Sequence, residues 1–83
     1  LVVMQGTVTP PTVQSVVYAI MNMDTLSTFT NDAGKFLIRG VPEGTYRVEV
    51  VPEETSGLDS VIIENVEVTT GQVTNVGTVN LEN

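Results

Sequence analysis

The stretch TNDAGKFLIRGVPEGTYRVEVVP, residues 30–52, reads as two strands and the turns that bracket them. It opens on Asn31-Asp32-Ala33-Gly34. Asn and Asp favour the start of a tight turn, and Gly supplies a positive φ at its end. A strand over residues 35–39 follows, with Phe36 and Ile38 on one face and Lys35, Leu37 and Arg39 on the other. Gly40-Val41-Pro42-Glu43-Gly44 is the next turn. In residues 45–51, Tyr46, Val48 and Val50 alternate with Thr45, Arg47 and Glu49, which gives one buried and one wet face. Pro52 closes this strand, because it has no N–H to donate to a ladder.

The same grammar extends to both ends of the chain. A first strand spans residues 1–9 and stops at Pro10-Pro11. A second covers 13–23, where the run Val16-Val17-Tyr18-Ala19-Ile20-Met21 indicates cover on both faces. A turn at 22–25 leads to a short third strand at 26–30. Beyond a polar loop at 52–60, a sixth strand runs over 61–69. Its alternation changes parity near Glu64-Asn65, which predicts a bulge or face switch there. The seventh strand covers 73–81. Val76 and Val79 have opposite parity, and a bulge at the intervening Gly77 would turn both to the core. Apolar residues nowhere recur at helical spacing for three turns. The fold expected is all-β: a single domain over residues 1–83, built as a seven-stranded antiparallel two-sheet Greek-key sandwich.

Composition narrows the function. A chain of 83 residues makes one small core, and with no cysteine it has neither a disulfide nor a thiolate-zinc staple. It holds together by packing, or against a neighbour in a longer chain. Ten acidic and three basic residues give a net charge of −7, the wrong sign for nucleic acid or anionic membranes. The acidity serves solubility, or attracts cations or basic partners. No apolar run is long enough to span a bilayer, so no direct membrane insertion is expected. The chain opens on Leu1 rather than Met, as a trimmed or mature fragment would, and whether a leader or anchor was removed stays open.

Chemistry is scarce. With no histidine and no cysteine, Ser-His and Cys-His nucleophiles and the usual zinc, copper and haem ligand sets are absent. Lys35, near Asp32, follows a turn and is read as solvated. Three carboxylate pairs are candidates for glycoside chemistry: Glu53 with Glu54, Glu43 with Glu49, and Glu64 with Glu67. They read as surface acids, the last pair on opposite faces unless a bulge intervenes. Asn22, Asp24, Asn31, Asp32, Glu53, Glu54 and Asp59 offer hard oxygens but not the spacing of a calcium loop. No catalytic residue, metal site or cofactor is expected. Sugar platforms use exposed rings, and the chain has no Trp. Of its aromatics, Phe36 and Tyr46 fall on core stripes, which leaves Tyr18 and Phe29 as the candidate ligand surface. Residues 69–83 carry one charge, Glu82, and would make a receptive edge if outermost, so the chain is a monomer or an edge-paired dimer.

Gly6-Thr7-Val8, then Thr30 through Phe36, then Pro42-Glu43-Gly44-Thr45-Tyr46-Arg47-Val48 form the pattern G-x-V, T-x-x-x-G-x-F and P-x-G-x-Y-x-V. This resembles the carboxypeptidase regulatory-like domain, a prealbumin-like (transthyretin-like) sandwich. The tail at 66–81 fits that family's last two strands, so the resemblance covers essentially the whole chain. Cna protein B-type repeats and starch-binding-like domains share parts of the pattern. An isopeptide cross-link of the Cna kind is not expected, because the single lysine, Lys35, follows a turn on a middle strand. The resemblance implies a non-catalytic accessory, spacer or protein-interaction module of a larger secreted or outer-membrane-associated bacterial protein, such as a lipoprotein. It places that module outside the cytoplasm, in the periplasm or at the cell surface. The partner would be another protein or neighbouring domains. The alternative it implies is a carbohydrate-binding module, with a glycan as ligand.

Overall fold

The computed structural model describes residues 2–83, so the expectation at Leu1 lies outside the described residues. Seven strands form: β1 (Val2–Thr9), β2 (Ser15–Met21), β3 (Asp24–Phe29), β4 (Lys35–Val41), β5 (Gly44–Pro52), β6 (Val61–Val68) and β7 (Thr74–Asn80). One 3-10 turn (Glu54–Ser56) lies in the polar loop after β5. They make a three-stranded sheet, β4-β1-β7, facing a four-stranded sheet, β3-β2-β5-β6. This is the expected two-sheet sandwich. The β3–β4 connection leaves the larger sheet and the β4–β5 connection returns to it, so β5 settles beside β2 in the Greek-key manner.

One pairing departs from the antiparallel expectation. β1 and β7 run parallel, from Met4 opposite Thr74 to Thr9 opposite Asn80. Parallel neighbours need a long crossover, and the five intervening strands supply it. All the other pairs are antiparallel.

Local chemistry sets the boundaries. β3 begins earlier than expected, at Asp24, because Asn22 adopts φ 53° and closes a two-residue hairpin between Met21 and Asp24. Asn is among the few side chains that tolerate this left-handed region. β2 begins at Ser15 rather than 13, because Val13 N–H is spent on the Pro10 carbonyl. β4 continues past Arg39 to Val41 through a bulge beside Gly40, since Val2 faces Val41 while Met4 faces Ile38. The two bulges expected from parity are present. Asn65 (φ 59°) sits where the β5–β6 register slips by one residue, and Gly77 (φ 88°) where the β1–β7 register does. The second slip lets Val76 pack against the core while Val79 is buried within it.

The core lies between the sheets. Val2, Met4 and Val8 of β1 meet Val17 and Ala19 of β2, Phe36 and Ile38 of β4, and Tyr46, Val48 and Val50 of β5. Gly6 faces Phe36 across the β1–β4 ladder, and a Cβ on Gly6 would stand 2.7 Å from the ring's Cζ. The Phe36 ring therefore fills the space a side chain would need. Gly6→Ala is expected to overpack this point and cost about 1–3 kcal/mol. A urea titration with an unchanged slope and a lowered midpoint checks it.

Candidate interaction face

β2 lies between β3 and β5, so its inward residues are sealed and its outward ones form the middle of an open face. Val17 and Ala19 are fully buried, while Val16, Tyr18 and Ile20 are half-buried on the outer side. Residues directly opposite across a ladder share a face. Val16 is opposite Phe29 on β3 and Val51 on β5, which gives one apolar row across three strands. Tyr18 is opposite Ser27 and Glu49, and Glu49 is opposite Ile62 on β6. Ile20 is opposite Thr25 and Arg47.

Both aromatic residues singled out in the sequence thus stand on this outer face. Tyr18 and Phe29 are diagonal cross-strand neighbours, a separation that aromatic side chains can span. Phe29 is 64 % exposed and Ile62 53 %. The sequence reading missed Val16, Ile20, Val51 and Ile62 as members of the same surface. A solvated sheet face normally alternates to polar residues, and the row Phe29–Val16–Val51 departs from that. Charged residues share the face: Glu49 stands between Tyr18 and Ile62, and Arg47 is opposite Ile20. Glu64 lies 4.0 Å from Arg47, an exposed pair that adds little to stability. Glu67 accepts a hydrogen bond from Thr45 Oγ1 at 2.9 Å.

The remaining candidates stay apart. Glu64 and Glu67 both look outward, because the Asn65 bulge restores a common face; the bulge, not the simple parity, decides this. Glu43 accepts from Thr70 Oγ1 at 3.3 Å in the turn before β5, whereas Glu49 lies within that strand. Glu53 and Glu54 are exposed beside the 3-10 turn. Asn31 Oδ1 is committed to its own turn, accepting from the N–H groups of Ala33 (2.9 Å) and Lys35 (3.0 Å). Among the described residues no three acidic side chains cluster as a metal site would need. A groove of about 510 Å³ runs past Gln5, Thr7, Phe29, Lys35, Leu37 and Asn75, with no carboxylate in its wall.

Among the solved structures that share this fold are two forms of one assembly. One is a chain of the type II cohesin–X–dockerin complex from Acetivibrio cellulolyticus bearing a C-terminal interface mutation. It matches at a TM-score of 0.79 and 22% identity, covering 98% of this chain and 57% of that one. The other is a chain of the same complex with an N-terminal interface mutation, at a TM-score of 0.77, 21% identity, and the same 98% and 57%. This chain therefore spans a little over half of each matched chain. Comparison with curated proteins finds no match. The sequence profile of the carboxypeptidase regulatory-like domain matches residues 3–82. That match takes in Gly6 beneath the Phe36 ring, the Asn31–Gly34 turn and the buried Tyr46, and the chain belongs to the carboxypeptidase regulatory-like domain family.

Proposed function

We propose that this domain is a non-catalytic protein-interaction and spacer module of a larger secreted or outer-membrane-associated protein, working outside the cytoplasm. One observation carries the reading: the apolar row Phe29–Val16–Val51, with Tyr18 and Ile62 beside it, lies on the outer face of a sheet whose inner face already packs the core. The occupant is a neighbouring domain of the parent chain. The matched chains of the cohesin–X–dockerin complexes, which are protein assemblies, extend well beyond the part that aligns here, and this supports that choice. The sandwich then acts as a rigid block whose position is fixed by burial of the row.

Oxidative footprinting of the isolated domain and of the parent chain tests this. Phe29 and Tyr18 are expected to be labelled in the isolated domain and protected in the parent. Equal labelling in both would overturn the reading.

A second reading has its own observation: two rings, Tyr18 and Phe29, share an exposed face and could stack on sugars. A thermal-shift screen against neutral glycans separates it. A glycan at a hundredfold excess over its dissociation constant adds about 2.7 kcal/mol, and in a domain this small that raises the midpoint by about ten degrees or more. A shift lost in Phe29→Ala favours the glycan, and a flat panel leaves the protein partner.

A further inference from the structure

We infer that the outer edge of β7 is a strand-addition site for an extended segment of another protein with a basic residue at the end that meets Glu82 and Asp59. The inference rests on the reading of the domain as an interaction module, but it uses a surface other than the β2–β3 face.

Among the described residues β7 pairs with β1 alone and ends the smaller sheet. Leu81 N–H donates to the Thr9 carbonyl at 2.9 Å. Backbone groups alternate along a strand, so Val79 shares the β1 side, and the N–H and C=O of Thr78 and Asn80 point to the open side. Val79 is buried, whereas Thr78 and Asn80 are exposed. The edge thus offers two donors and two acceptors on a well-anchored strand. Asn75 Oδ1 takes Gly77 N–H at 2.9 Å, which ends the available stretch at the bulge.

The other three edges carry the features that deter pairing. β4 has Lys35 and Arg39, β6 has Glu64, Glu67 and the Asn65 bulge, and β3 is the shortest strand and opens on Asp24. Residues 69–81 contain no charge and no proline, in a chain with ten acidic and three basic residues. An unprotected edge in an otherwise guarded molecule is the geometry that strand addition uses.

Charge at its C-terminal end selects the occupant. Glu82 follows β7, and its carbonyl accepts Asp59 N–H at 2.9 Å, which places two acidic residues at that end. A second copy of this chain would bring one net charge of −7 against another. A strand bearing Lys or Arg at the end that meets Glu82 and Asp59 finds complementary charge instead.

The test uses the isolated domain and the synthetic peptide Lys-Val-Thr-Val-Thr-Val-Lys, followed by amide exchange and chemical-shift mapping. Amide exchange at Thr78 and Asn80 is expected to slow about tenfold when the site is about nine-tenths occupied. A peptide with proline at its centre, and one with Glu in place of both Lys, are expected not to bind. Thr78→Pro should keep the fold, because its N–H is not used toward β1, and should lose the peptide. Thr78→Lys should also lose it, with the backbone intact. Absence of protection at Thr78 and Asn80, equal binding of the Glu-flanked peptide, or protection of these amides by self-association without peptide would each overturn the inference. Shifts confined to Tyr18 and its neighbours would overturn it while supporting the outer-face reading, and footprinting of the parent chain judges that reading separately.

Discussion

Tyr46→Ala lowers the stability of this domain by about 3–5 kcal/mol, the usual loss for a buried aromatic cut back to a methyl group. The ring is 2 % exposed and stands opposite Val66 on the inner side of β5. Its hydroxyl donates to the Pro42 carbonyl at 2.8 Å, which ties the β4–β5 turn to the core. Small domains hold about 0.05–0.15 kcal/mol per residue, so the substitution removes a large share of the total. Tyr46→Phe keeps the ring and loses one hydrogen bond, for about 1 kcal/mol. Urea titrations of the two variants separate packing from hydrogen bonding; equal midpoints would show that the buried ring contributes nothing beyond its hydroxyl.

The same residue gives the fold an alkaline limit. Burial, and secondarily the negative charge of Asp24, raise the Tyr46 phenol above its ordinary range. The unfolded chain releases this proton near pH ~10. Above that point the native state holds a proton the unfolded state has lost, so stability is complete below it and declines as pH rises. Tyr46→Phe is expected to remove this part of the decline. A set of urea midpoints between neutral pH and pH ~11 checks the sign.

How far the sequence foretells this molecule differs from one feature to the next. Alternation in residues 45–51 places Tyr46, Val48 and Val50 in the core, and they are there. Breaks in alternation at Asn65 and Gly77 foretell both bulges, because an extra residue must flip the parity. Parity says which face a residue takes but not which strand lies beside it. The parallel β1–β7 pair therefore leaves no trace in either strand's pattern. The turn after β2 is foretold at 22–25 but is tighter, two residues at Asn22-Met23, and its length is obscure because Met replaces the usual glycine. The outer face was half legible. Tyr18 and Phe29 emerge by elimination among the aromatics, whereas Val16, Val51 and Ile62 come together only through cross-strand register.

Gly34→Ala is the second large effect expected, at about 2–5 kcal/mol from the conformational and overpacking costs together, and it explains why the T-x-x-x-G-x-F pattern requires its glycine. Gly34 has φ 77°, a conformation that costs an L-residue about 1–2 kcal/mol. It is also pressed against β1. Val8 N–H donates to its carbonyl at 2.6 Å, and a Cβ would run into the Val8 carbonyl oxygen and the backbone of Pro11. Neither neighbour is a flexible side chain, so the backbone itself must shift, and overpacking of this kind adds about 1–3 kcal/mol. Gly40 supplies the control. Its φ is 70°, yet a Cβ there meets nothing within 4 Å, so Gly40→Ala should show the conformational cost alone. The excess of Gly34→Ala over Gly40→Ala then measures the contact between the turn and β1. Gly34→Asn should recover part of the conformational cost, because Asn tolerates this region, and none of the clash. If the two alanine variants have equal urea midpoints, the Asn31–Gly34 turn is held by its own Asx hydrogen bonds and the pattern's glycine serves φ alone. If Gly34→Ala is the worse, the turn is docked on β1, and that docking sets the start of β4 and the seat of Phe36 over Gly6.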